Sequence, residues 1–149
     1  MKRMRLIGSD EGSFDYNRNV EFSSIAKREV SIQLHAELTC MENENIVSVS
    51  LFTRYLLEKD QLLNYRVSLM FEIEGWASFI NEHKDEDILE SDEVYRILAI
   101  SVGFLRGSLS LQQKTTPLRG AFLPLINIEG LKKNANINRL KHTSKKTLD

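Results

Sequence analysis

Three histidines and a single cysteine are the side chains best suited to metal binding or nucleophilic chemistry in this chain, and their spacing supports neither. His35 sits on the polar side of an alternating stretch, His83 stands among Glu82, Asp85 and Asp87, and His142 lies near the C-terminus. Helical metal sites pair ligands at i, i+4 spacing, and no two of these histidines are so placed. The carboxylates around His83 offer oxygen ligands to a divalent cation, but a run of acids in a polar segment reads first as a solvated surface. Cys40 is flanked by Thr39 and Met41, with no local base or cation to favour its thiolate, so it reads as an inert thiol at a strand end. One cysteine also excludes an internal disulfide and a multi-cysteine zinc site. The chain carries no Gly-rich phosphate loop, no G-x-S-x-G elbow and no H-E-x-x-H pair. The expectation is a protein with no catalytic residue, no metal and no cofactor.

The remaining composition bounds the partners. A chain of 149 residues is the size of one domain with one ordinary core. Its 20 Lys and Arg against 21 Asp and Glu exclude a globally polybasic nucleic-acid binder. Acids crowd the stretch from Glu82 to Glu93, and Lys132, Lys133, Arg139, Lys141, Lys145 and Lys146 load the C-terminal end. No aromatic interleaves those lysines to stack on bases, so no nucleic-acid partner is expected. No uninterrupted apolar run reaches the roughly 18 residues of a membrane span, and Gly8-Ser9-Asp10-Glu11 falls where a signal peptide would be apolar. These features predict a cytoplasmic protein without membrane insertion.

The elements that must position any site are legible in the hydrophobic periodicity. Val30, Ile32, Leu34, Ala36 and Leu38 alternate with polar residues and predict a first strand. After the polar turn Met41 to Asn45, Val47, Val49, Leu51, Tyr55 and Leu57 alternate with Ser48, Ser50, Phe52, Arg54 and Leu56. A loop from Glu58 to Asn64 leads to a third strand, in which Tyr65, Val67, Leu69, Phe71 and Ile73 share one face, with a bulge at Gly75. Short connections make these three an antiparallel meander with one apolar and one mixed face. An acidic crossover from Asn81 to Ser91 precedes a helix from about Glu93 to Gln113, with Asp92 as its N-cap. Apolar residues cover nearly its whole circumference, so it needs cover on more than one side. Ala99, Gly103 and Gly107 form a ridge without bulk, which reads either as close packing on the sheet or as helix contact across a subunit interface; Phe104 and Leu111 join them as interface candidates. Pro117 ends the helix, and Pro124 marks a final edge or bulged strand. Residues 1–28 are read as an N-terminal extension in which Phe14, Tyr16, Val20 and Phe22 could pair as a short strand; residues 131–149 are read as a basic tail or short helix.

This order of elements, with Ile100 to Leu111 followed by Gly120-Ala121-Phe122-Leu123-Pro124-Leu125-Ile126-Asn127, resembles the SecB family of export chaperones. Glu29-Val30 opening the first strand and Phe71-Glu72-Ile73-Glu74-Gly75 before an aromatic are similar to that family as well. The resemblance covers about residues 29–130, which would form the SecB-like domain. It implies an α+β fold: a four-stranded antiparallel sheet, the meander plus a C-terminal strand, with a long helix packed on one face. It also implies a homotetramer built as a dimer of dimers, acting as a nucleotide-independent holdase for unfolded or extended polypeptides. SecA, or an antitoxin in a toxin-antitoxin module, would be its partner. The sequence departs from the family in having Ile25-Ala26-Lys27 where an aromatic is usual and a basic rather than acidic C-terminus.

Such a chaperone needs exposed apolar surface rather than catalytic groups. Phe52, Leu56 and Met70 on the mixed face, with Trp76 and Phe79 just past Gly75, are the candidate client-binding residues. Two further readings remain open at this level: a module dedicated to one protein partner, and a small-molecule enzyme using a cavity beside the sheet.

Overall fold

The alternation in the middle of the chain builds three long antiparallel strands. The computed structural model describes residues 2–18, 30–58, 60–114, 116 and 123–141. Within it, β1 is Met4–Tyr16, β2 Ser31–Met41, β3 Ile46–Leu57 and β4 Asp60–Ile73. These are followed by α1 (Trp76–Glu82), α2 (Asp85–Leu89), α3 (Asp92–Gln113), α4 (Ile128–Lys133) and β5 (Asn136–Leu140). The five strands form one sheet in the order β1-β4-β3-β2-β5. All neighbours are antiparallel except β2 and β5, which run parallel with Leu38 opposite Ile137. The fold is α+β with a mixed five-stranded sheet, where four antiparallel strands were expected.

The expected boundaries shift for identifiable reasons. The N-terminal strand is 13 residues long rather than short, because backbone pairing with β4 carries it through Gly8 to Ser13, where side-chain alternation fails. Two register shifts, between Leu6 and Gly8 and between Glu11 and Phe14, absorb the irregular sequence. The loop expected from Glu58 to Asn64 is instead a tight hairpin, since β4 begins at Asp60; Glu58 takes a φ of 56° to make the turn. Gly75 does not bulge a strand: at φ 75° it turns the chain into α1, a conformation that favours glycine. Part of the acidic crossover is helical as α2, whose first turn holds Asp85, Glu86 and Asp87, where acids favour the exposed amides. Ser91, not Asp92, caps α3 through its hydroxyl, which accepts from the amide of Val94 at 3.3 Å. The segment from Leu123 to Asn127 around Pro124 forms no strand, and Asn127 instead caps α4. The last strand lies farther along, at β5, inside what reads as a polar tail. Val20, Phe22, Ile25 to Lys27, Glu29, Pro117, Gly120 to Phe122, His142, Lys145 and Lys146 lie outside the described residues.

The core sits between one face of the sheet and α3. Val47, Val49, Leu51 and Tyr55 of β3 and Tyr65, Val67, Leu69 and Phe71 of β4 are buried on that face. From the helix, Val94, Ile97, Leu98, Val102, Leu105 and Leu109 pack down on them. By length and composition α3 could cross a membrane, but Arg96 and Arg106 interrupt it and its apolar stripe is buried against the sheet, as in a core helix.

Both edges of the sheet are tied by polar contacts. On the helix-bearing side, Glu11 of β1 accepts hydrogen bonds from the Tyr65 hydroxyl at 2.6 Å and from the Ser108 hydroxyl of α3. At the other edge, Arg139 of β5 donates to Asp85 at 3.0 Å, to the carbonyl of Ile80 at 2.7 Å and to that of His83 at 3.0 Å. Lys132 of α4 is buried between Glu129 and Glu90, at 3.2 and 3.9 Å, which joins α4 to the end of α2.

Candidate functional site

The strand period of two sends every second side chain to the face opposite α3, and no described helix packs there. Ser48, Ser50, Phe52, Arg54 and Leu56 of β3 form its central row. Phe52 is 37% exposed and Met70 of β4 is 41% exposed, while Leu56 is half-buried. The three expected residues therefore share one face, as the alternation requires. They are separated along it: Phe52 faces His35 on β2 and Arg66 on β4, whereas Met70 faces Ser48 and Leu56 faces Ser31. Between Phe52 and Met70, the Ser50 and Ser68 hydroxyls hydrogen-bond at 2.8 Å, and Arg66 donates to Ser68 at 2.9 Å. The face is a row of isolated apolar footholds among small hydroxyls, not a continuous greasy patch.

An open groove of about 470 Å³ runs over the β2–β3 part of this face, lined by Gln33, His35, Glu37, Phe52, Arg54 and Asn64 among others. The rings of His35 and Phe52 lie 6.3 Å apart and 32° from parallel. His35 Nε2 is 3.2 Å from Asn136 Nδ2 of β5 and 3.7 Å from a Glu37 carboxylate oxygen. The groove thus combines an aromatic floor with groups able to donate to or accept from a peptide backbone.

The other two client-binding candidates lie elsewhere, and this corrects their assignment. Trp76 is 1% exposed and belongs to the core beneath α1, because the turn at Gly75 carries the chain over the end of the sheet toward the helix side. Phe79 is half-buried, with its ring 5.6 Å from Trp76 and 4.5 Å from His83, and Lys2 Nζ 4.9 Å above it. These aromatics close one end of the core rather than open a surface.

The outward side of α3 carries the interface candidates. A Cβ built on Gly103 or Gly107 would meet nothing within 4 Å, which excludes the reading that these two glycines pack on the sheet. Leu111 is 69% exposed and Ile100 45%, Ala99 is half-buried, and Phe104 leans inward against the core. The chain therefore presents small and apolar residues on the helix face that its sheet does not cover.

Reactive groups sit away from both surfaces. Burial pushes the Cys40 thiol up to about 11, so it is neutral and enclosed beneath the sheet at ordinary pH. Hydrogen bonds from Ser108 and then Tyr65 hold the Glu11 carboxyl below its usual range, and burial together with Glu11 pushes the Tyr65 phenol up to about 12. This cluster joins β1, β4 and α3. Its members are 54 and 97 positions apart in sequence, and no local pattern marked them.

No protein-family model matches the chain, and no curated protein sequence does. Among solved structures, a protein of unknown function from Streptococcus agalactiae is similar over 84% of this chain and 99% of its own, with 14% identity and a TM-score of 0.47. A Mycobacterium tuberculosis SecB-like chaperone in complex with a ChAD peptide from an antitoxin is similar over 86% of each chain, with 12% identity and a TM-score of 0.36.

Proposed function

We propose that the protein is a nucleotide-independent holdase that binds non-native, extended polypeptides on the open face of its sheet. The observation that carries this reading is the placement of Phe52 and Met70, large apolar side chains exposed among serines and charged residues on a face that no described helix covers. Isolated apolar contacts on a hydrogen-bonding surface suit a flexible chain, whose affinity is the sum of several weak grips. The sequence resemblance to SecB points the same way. In this reading the outward face of α3, with Gly103, Gly107 and Leu111, joins copies into a homotetramer that multiplies those grips. The protein acts in the cytoplasm, without catalysis or cofactor, and SecA or an antitoxin is the recipient or client.

The test replaces Phe52 and Leu56 with Ser, checks the assembly by light scattering, and titrates reduced, unfolded clients at low and high salt. Each lost apolar contact removes about 1 to 2 kcal/mol, so binding should weaken by at least about thirtyfold with the oligomer intact. Binding that survives the double change but collapses with salt would place the interaction in the charged segments and overturn the choice of surface. Suppressed aggregation of several unrelated clients supports a general holdase, whereas activity toward one protein alone would show a dedicated module.

A further inference from the structure

We infer that the client groove selects its polypeptide by charge pattern: it favours an extended segment with a large apolar residue at the centre, an acid two positions to one side and a base two positions to the other. This rests on the holdase reading above and names the class of sequence that the open face takes.

The strand register fixes the order of the groove's floor, whatever rotamers its side chains adopt. Gln33, Arg54 and Asn64 form one row across β2, β3 and β4, His35 and Phe52 stand in the next, and Glu37 faces Ser50 in the third. The floor therefore runs from a guanidinium, over an aromatic pair, to a carboxylate.

The cation at one end is available to a client. Arg54 is exposed, its cross-strand neighbours are neutral amides, and no hydrogen-bond or ion-pair partner engages it among the described residues. Other arginines of this face are already held. Arg5 pairs with Glu72 at 2.5 Å, while Arg66 donates to Ser68 at 2.9 Å, stands 3.7 Å from Asp10 and lies over Gly12, where a Cβ would come within 2.8 Å of its Nε. Asp15 ends the row of Arg54 on β1, but it is two strands away, roughly 9.5 Å, which is about a Debye length in physiological salt. Glu37, at the far end, is half-buried and meets no Lys or Arg among the described residues; its neighbour there is His35, at 3.7 Å.

The spacing matches an extended client. Arg54 and Phe52 are two positions apart on β3, and the row of Glu37 lies two positions beyond Phe52. A chain laid along the face repeats its side chains with the same period of two residues, about 6.6 Å. An apolar side chain seated on Phe52 thus carries its neighbours at i−2 and i+2 over Arg54 and Glu37. Since either chain direction seats this pattern, the groove reads opposed charges about an apolar centre and not their order. The apolar contact supplies the grip, and the two charges choose among apolar segments.

The test uses an unstructured Gly- and Ser-rich polypeptide carrying repeated copies of a module with a central Leu, in four versions whose flanking positions hold Glu and Lys, Gln and Gln, Glu and Glu, or Lys and Lys. Affinities are measured for the unaltered protein, Arg54→Gln and Arg54→Glu, with a reduced, carboxymethylated unfolded protein as the control client. Exposed ion pairs contribute little each, so the unaltered protein should bind the Glu and Lys version about fivefold more tightly than the Gln and Gln version, falling to within about twofold at ~0.5 M salt. Arg54→Gln should reduce the preference to about twofold, and Arg54→Glu should switch it, so that the Lys and Lys version binds best. Any other order for the unaltered protein, equal affinities included, overturns the inference, as does an unchanged order in Arg54→Glu. If no version binds while the control client does, the inference falls and the holdase reading stands; if the control client does not bind either, both fall.

Discussion

Replacing Tyr65 with Phe tests what fastens β1 to the rest of the molecule. The ring of Tyr65 is 1% exposed and packs edge-on against Phe14 with centroids 5.6 Å apart, so phenylalanine can keep the packing and remove the hydroxyl alone. That hydroxyl donates to the Glu11 carboxylate at 2.6 Å and also contacts the Ser108 hydroxyl. A hydrogen bond to a charged group contributes about 1.5 to 3 kcal/mol, and Ser108 continues to donate to Glu11, so the lower half of that range is expected. For a chain of this size that is a fall in Tm of about 3 to 8 °C. The assay is urea and thermal unfolding of the unaltered protein, Tyr65→Phe, Glu11→Gln and the double variant at one protein concentration, since assembly would make stability concentration-dependent. The single changes should be clearly non-additive, because both act on one contact: Tyr65→Phe removes its donor, and Glu11→Gln removes the charge of its acceptor. The pH dependence has a defined sign. Glu11 is held below the usual carboxylate range when folded, so its contribution is present above that range and lost as pH falls through its lowered value. Tyr65 is raised to about 12, so its contribution is present below the ordinary phenol range and lost as pH climbs toward that value; burial raises Cys40 to about 11 and raises Tyr55 as well, so Tyr65→Phe should shrink the alkaline limb without abolishing it. Additive single changes, or an alkaline limb of undiminished size without the Tyr65 phenol, would refute the reasoning.

Gly103→Leu should leave the fold of the protomer intact, since nothing lies within 4 Å of the added Cβ, and should lower the mass seen by light scattering. Unchanged mass would show that this ridge faces solvent in the assembly too. Cys40, buried with its thiol at about 11, should react with a maleimide at pH 8 at least about a hundredfold more slowly in the native protein than in denaturant; rapid native labelling would contradict its burial.

The strands β2 to β4 and the helix α3 were legible because each repeats its own period over ten or more residues, and tertiary packing had only to obey it. β1 was not, since Gly8, Ser9, Asp10, Glu11, Gly12 and Ser13 show no alternation; its extended state is imposed by the ladder of β4. β5 is similar. Asn136 to Leu140 has too little apolar content to announce a strand, and it forms one because the edge of Leu38 to Met41 is available beside it. The open-face candidates Phe52, Leu56 and Met70 could be read from period two alone. Trp76 could not, because its burial depends on where the turn at Gly75 sends the chain. The His35–Asn136 contact spans 101 positions, beyond any local signal.

The sheet order also sets a schedule for synthesis. β2, β3 and β4 are joined by hairpins and can zip up in the order they emerge from the ribosome, but β1, made before them, has β4 as its neighbour among the described strands. Translation from Tyr16 to the end of β4 at Ile73 takes about 3 to 11 s at cellular rates, and until then β1 waits for the strand it pairs with in the sheet. Its run of glycines, serines and acids is therefore well suited to the wait: a regularly apolar strand held unpaired for seconds would invite adhesion to neighbouring nascent chains, whereas this one stays in water until its template arrives.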